Sequence, residues 1–203
     1  MTRTVCHVSI SLDGYLAGPN QTREDPLGAG GEALHTWHLQ PDDSTNEVDA
    51  AMRADLLRPI GAVVMGRNMF GPVRGPWSEE WRGWWGEDPP YHAPVFVLTH
   101  HPHEPIAMSG GTTFFFVTDG FEAALRQAQE VAAGLDVRVA GGASTIRQAL
   151  AAGALDQLVL DVAPVLLGGG ERLLDGVTDP GLEPVEATHS PLATHVRYRV
   201  GGK

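Results

Sequence analysis

Cysteine is nearly absent from this chain: Cys6 is the single one in 203 residues. That excludes an intrachain disulfide and thiolate zinc sites, and it fits a reducing compartment, so a cytoplasmic location is expected. Basic residues are scarce as well, 14 Lys and Arg against 25 Asp and Glu, for a formal net charge of −11. Nucleic acid and anionic membrane surfaces are poor partners for such a chain, because both need a basic face. Long apolar runs are missing. No stretch approaches the roughly 20 residues of a membrane span, and Met1-Thr2-Arg3-Thr4-Val5 has no apolar segment of the signal-peptide kind. Two catalytic signatures are lacking too. Without H-x-E and P-C-x-x-C there is no zinc deaminase half, and without G-x-S-x-G there is no hydrolase elbow. No metal site is expected; His100, His101 and His103 cluster, but around Pro102 in a loop.

What is present reads as one globular domain spanning 1–203. The apolar fraction of 42% is that of a packed protein, and a chain of this length can build a full core. Residues 4–12, 61–66, 95–99, 113–118, 136–140, 155–162 and 194–200 read as strands from β-branched and apolar content. The 61–66 run (GAVVMG) is apolar throughout, as a strand covered on both faces is. Helices are expected at 46–57, with Asn46 as cap and Pro59 as stop, at 119–133, capped by Asp119, and at 144–152, with a short one at 32–39. Strands alternating with helices predict an α/β fold with a largely parallel sheet. The last strand, 194–200, follows no clear helix and is expected to run antiparallel at one edge, with Val196, Tyr198 and Val200 on one face.

Three segments carry candidate chemistry. In Val139-Ala140-Gly141-Gly142-Ala143-Ser144-Thr145-Ile146 a strand meets two glycines and a helix opens at once. Glycines admit a diphosphate close to the backbone, and a helix N-terminus offers N–H donors; an ordinary βα turn is the alternative. In Met65-Gly66-Arg67-Asn68-Met69-Phe70 a strand ends on an arginine, at the sheet edge where ligands of open α/β sheets bind. Its guanidinium could grip a phosphate, or simply stand at the surface. The third is Ser11-Leu12-Asp13-Gly14-Tyr15-Leu16-Ala17, for which a turn suffices.

In order, S-x-D-G-x-x-A, M-G-R-x-x-F, V-x-L-T, G-G-x-x-x-I and P-V-L-L-G-G-G resemble the dihydrofolate reductase-like superfamily. The nearer branch is the one holding the reductase domain of the bifunctional riboflavin-synthesis deaminase–reductase. The resemblance covers about residues 3 to 200. It implies a three-layer fold with a mostly parallel eight-stranded sheet and an antiparallel C-terminal edge strand. It also implies NADPH and hydride transfer to a small heterocycle, pteridine-, pyrimidine- or flavin-precursor-like, as in an aminouracil reductase or a dihydrofolate reductase. A homodimer is implied too. The alternative is a protein of this fold that holds a nucleotide or flavin without turnover.

Carried over by position, Gly141, Gly142, Ala143, Ser144 and Thr145 match the diphosphate loop. Gly66, Arg67, Asn68 and Met69 match the segment meeting the diphosphate and the adenosine 2′-phosphate. Leu98, Thr99 and His100 match the strand end beside the adenosine, and Leu16 and Ala17 the loop over the nicotinamide. Reduction of a C=N bond needs a proton donor. The resemblance places one on the helix before Met-Gly-Arg, where Asp49 stands beside Glu47 and Asp55; Asp13 is its rival, and a structural role in the first turn or the loop explains either. Residues 18–45 and 71–94 look like insertions. The second carries Trp77, Trp81, Trp84 and Trp85, which either wall a flat substrate or pack back on the domain, the latter being favoured.

Overall fold

A computed structural model describes residues 2–39, 46–72 and 74–201. In chain order the elements are β1 (Thr4–Ser11), β2 (Tyr15–Ala17), a 3₁₀ turn (Gly31–His35), α1 (Thr36–Leu39), α2 (Glu47–Leu56), β3 (Ala62–Gly66), α3 (Arg67–Phe70), β4 (Pro94–Leu98) and β5 (Ile106–Ala107). A 3₁₀ turn (Ser109–Gly111) follows, then β6 (Thr113–Val117), α4 (Phe121–Val131), β7 (Val137–Gly141), α5 (Ala143–Ala151), β8 (Gln157–Ala163), β9 (Glu171–Arg172), β10 (Leu182–His189) and β11 (Thr194–Val200). They form two compact units, one of Met1–Cys6 and Pro59–Ala154, the other of His7–Arg58 and Leu155–Lys203.

In the first unit the strand order is β1-β7-β3-β4-β6-β5. The pairs β1–β7, β7–β3, β3–β4 and β4–β6 are parallel, and the two-residue β5 closes the edge antiparallel. Val63, Val64 and Met65 are wholly buried, which is why that strand reads as an unbroken apolar run. Helix α4 packs on β3 and β4, and α5 on β7 and β3. The core gathers Phe70, Phe114, Val95 and Val97, and Trp77, Trp81, Trp85 and Tyr91 of the 71–94 segment pack against it. The tryptophan-rich segment is thus fastened to this unit's core. Helix α4 starts after Gly120 rather than at an Asp119 cap, and no side chain caps it.

In the second unit the order is β10-β11-β8-β1, with β10–β11 and β11–β8 antiparallel. The edge is therefore β10, and the final strand β11 lies inside it, a correction to the expected C-terminal edge. Leu182–His189 escapes a sequence reading because Pro184 interrupts it and most of its side chains are exposed; an edge strand tolerates both. Among the described residues nine strands take part in these ladders, one more than the eight implied, so the fold is α/β, mostly parallel, with antiparallel edges. A two-stranded ladder pairs β2 with β9. Asn46 caps α2 as expected, its side chain accepting from the Val48 N–H at 2.9 Å. The 18–45 segment contributes buried Leu34 and Trp37, while its residues 40–45 lie outside the described ones. No helix among the described residues is long and apolar enough to cross a membrane.

Candidate functional site

Three parallel strands of the first unit deliver candidate residues at their carboxyl ends: β3 brings Gly66 and Arg67, β4 brings Leu98 and Thr99, and β7 brings Gly141 and Gly142 with α5 behind them. Gly66 pairs across with Leu98, and Met65 with Gly141. A Cβ on Gly66 would stand 2.6 Å from Thr145 Oγ1, so glycine lets this strand end lie against the start of α5. Gly141 has φ +135°, in the region open to glycine. Around a Cβ built on Gly142 nothing comes within 4 Å; its backbone faces open space. No side chain caps α5, whose first N–H groups point that way by helix geometry.

Arg67 is only 8% exposed. Its Nη1 donates to Thr99 Oγ1 at 2.9 Å, and its guanidinium carbon lies 3.2 Å from the ring centroid of Trp77. The indole N–H of Trp77 donates to the His101 carbonyl at 3.1 Å, and its ring meets Phe70, Phe116 and His103. Nε and Nη2 of Arg67 are buried without a hydrogen-bond partner among the described residues. Burial, then the charge of Arg74, lowers the pKa of the group. A buried cation with idle donors is costly, and an anion reaching those donors would offset the cost.

The second unit holds a row of buried carboxylates and imidazoles. Asp49, in the first turn of α2, meets His195 Nε2 at 3.0 Å through Oδ1. His195 Nδ1 meets Asp161 Oδ1 at 2.7 Å, and the Asp161 carboxylate meets His7 Nε2 at 3.0 Å. Asp49 and His195 are each 2% exposed and Asp161 1%. Burial alone would make His195 harder to protonate; its bonds to Asp161 and Asp49 outweigh that and raise its pKa. Burial likewise pushes Asp161 up, but the bonds from His195 and His7 win and hold it below the ordinary value. Asp49 Oδ2 is buried and has no hydrogen-bond partner among the described residues. Among the described residues no group of His, Cys, Asp or Glu is arranged to hold a metal ion.

Asp13 is built differently. One oxygen accepts from Ser11 Oγ at 2.5 Å and from the Leu167 N–H at 3.1 Å, the other from the Gly168 N–H at 2.8 Å. The Ser11 bond foremost, with the backbone bonds, lowers its pKa to about 2. It is a fixed anion that ties the Asp13-Gly14 turn to the glycine run at 168–170, and an acid so strong has no proton to give at neutral pH.

The structure thus gathers Gly66, Arg67, Leu98, Thr99, Gly141, Gly142, Ala143 and Thr145 at the strand ends of the first unit. Asn68, His100 and Ser144 are exposed there, and Met69 packs on the core. Leu16 and Ala17 lie on β2 of the second unit, as do Asp13 in the preceding turn and Asp49 on α2. Sequence reasoning missed Trp77 as the cover of Arg67, and it missed His195, Asp161 and His7. Only the single titratable histidine or carboxylate within each strand (His7 in TVCHVSIS, Asp161 in QLVLDVA) offered a signal.

A family model described as the RibD C-terminal domain matches residues 3–196. Among solved structures the chain is similar to a putative riboflavin biosynthesis protein from Shewanella sp. PV-4, with a TM-score of 0.65 and 21% identity, each chain covered in full. It is also similar to a pyrimidine reductase-like protein from Corynebacterium diphtheriae (TM-score 0.59, 15% identity, covering 100% of this chain and 93% of that one). A third is a diaminohydroxyphosphoribosylaminopyrimidine deaminase/5-amino-6-(5-phosphoribosylamino)uracil reductase from Thermotoga maritima (TM-score 0.58, 15% identity); 98% of this chain spans 57% of that protein. At these identities the likeness speaks for the fold. The comparison with curated proteins gives no significant match.

Proposed function

The chain belongs to the RibD C-terminal domain family, and on that premise we propose that it is an NADPH-dependent cytoplasmic reductase of a small heterocycle of the pyrimidine, pteridine or flavin-precursor kind. The observation that carries the reading is Arg67. Its two idle, buried guanidinium nitrogens lie in the same unit as the glycine-lined start of α5 and the open space over Gly142. These features fit the two anionic parts of the cofactor. Arg67 would hold the adenosine 2′-phosphate, and the Gly141–Gly142 backbone with the α5 N-terminus and the Thr145 hydroxyl would hold the diphosphate.

When bound, the cofactor supplies a hydride to an electrophilic ring carbon. The chain's own residues supply the proton. Asp49, buried and with one oxygen unused, is the donor to the ring nitrogen, and Asp13 holds its loop. Trp77 stacks on the guanidinium face of Arg67, and the two idle nitrogens are buried, so a phosphate binding there would need the surrounding cover to shift. By the family resemblance, Leu98, Thr99, His100, Asn68 and Met69 would serve the adenosine side, Ala143 and Ser144 the diphosphate, and Leu16 and Ala17 the nicotinamide. A homodimer belongs to this reading, and a monomer mass by light scattering at micromolar concentration would count against it.

Titrating the protein with NADPH and with NADH tests the assignment. Wild type should prefer NADPH by about tenfold or more, the worth of one charge-assisted contact, and Arg67→Ala should erase the preference. Equal affinities in wild type, or an undiminished preference in Arg67→Ala, would overturn it. NADPH binding without oxidation by any of a panel of heterocycles would favour a binding protein over an enzyme.

A further inference from the structure

The reductase reading uses Asp49 alone, yet Asp49 is the end of a longer row. His195 from β11, Asp161 from β8 and His7 from β1 continue it through contacts of 3.0, 2.7 and 3.0 Å. Both nitrogens of the His195 ring face a carboxylate oxygen. Each contact needs a proton on the nitrogen or on the oxygen, so the ring and its two carboxylates share protons as one system. Trp37 seals the row: its ring lies 5.0 Å from that of His195 and stacks at 6.3 Å on that of His7, and its indole N–H is spent on Ser9 Oγ.

Resting on the reductase reading, we propose that His195 is a positioning residue that stores the proton Asp49 delivers, with Asp161 and His7 fixing its ring. Hydride adds to the ring carbon of a C=N bond, and the π pair moves to nitrogen. Asp49 takes the Nε2 proton of His195 and passes a proton to nitrogen, so its carboxylate ends the step as it began it. His195 ends neutral, its remaining proton on Nδ1 and donated to Asp161, and solvent reprotonates it before the next turnover. The nicotinamide cofactor is the reductant, and one proton from water is consumed per cycle. The raised pKa of His195 agrees with a ring held charged between its partners.

The other titratable groups near the row are few. The charge of Asp161 bears on His35 and His38 through space. Asp55 stands 3.6 Å from His7 Nδ1, paired with Arg197 at 3.2 Å and Arg58 at 3.5 Å. Arg53 bears on His38.

Two arms test the proposal. In the first, the cofactor-free protein labelled with ¹⁵N-histidine is titrated by NMR. Asp49→Asn, which keeps the shape and removes the charge, should lower the His195 midpoint by about one pH unit or more. An unmoved midpoint would overturn the coupling. In the second, turnover is followed against pH with NADPH saturating. His195→Gln should lower kcat by on the order of tenfold to a hundredfold, leave KM nearly unchanged, and shift the alkaline limb of the profile. Asp161→Asn should shift that limb the same way and serves if His195→Gln fails to fold. An equal loss at every pH would mean a merely structural role. If no heterocycle oxidises bound NADPH, the reductase reading falls and the storage role with it, and a midpoint that still moves would tell that failure apart from loss of the coupling.

Discussion

Replacing Gly66 by alanine isolates one contact between the two motifs of the first unit. The backbone at Gly66 has φ −81° and ψ 155°, which alanine adopts freely. The added Cβ meets Thr145 Oγ1 at 2.6 Å, while its next neighbours, Gly142 N at 3.5 Å and Gly141 O at 3.7 Å, are at ordinary contact distance. The penalty is therefore one steric overlap with one hydroxyl. Thr145 is 3% exposed and cannot swing away freely. Overpacking of this kind costs about 1–3 kcal/mol, against which alanine recovers about 0.4–1 kcal/mol by stiffening the unfolded chain. At this chain length each kcal/mol moves Tm by roughly 2–4 °C, so a fall of a few degrees is expected. The Thr145→Ala partner change removes the clashing oxygen. Denaturant unfolding of the four proteins should then show a favourable coupling of about 0.5–3 kcal/mol, the double variant losing less than the two single losses summed. Strict additivity, or a Gly66→Ala protein as stable as wild type, would refute the steric argument.

Three further outcomes follow from the same geometry. Tryptophan emission should change when NADPH binds, because Trp77 covers Arg67, and most of that change should vanish in Trp77→Phe; a signal untouched by the substitution would mean that the indole stays in place. Cys6 is buried and its pKa is pushed up to about 12 by desolvation, so a thiol reagent should label it only on unfolding; rapid labelling of native protein at neutral pH would contradict this. His38, held neutral by burial first and then by the His35 ring, has its pKa lowered to about 4. The unfolded chain binds a proton there between about pH 6.5 and 4 and the folded chain does not, so stability falls as the pH drops through that window. Wild type should lose more stability than His38→Gln between pH 7 and pH 5 in urea titrations, and equal losses would refute the assignment.

Local chemistry made much of this protein legible beforehand. The glycine pair at 141–142, the strand end at Gly66-Arg67 and the Asn46 cap are short-range patterns, and each stands where the residues alone would put it. The apolar run of β3 announced a strand covered on both faces. The pairing of Asp49 with His195 could not be read that way, because 146 residues separate them and only the register of β11 on β8 brings His195 beside Asp161. Reading the last strand by its apolar row, Val196, Tyr198 and Val200, drew attention away from His195 on the opposite parity. The same holds for Trp77, whose place over Arg67 depends on how the 71–94 segment folds back onto the core around Phe70 and Phe114. Sequence determined where the glycine turns and the Asn46-capped helix stand; only tertiary packing decided which charges are buried together, because burial belongs to surfaces that meet and not to neighbours along the chain.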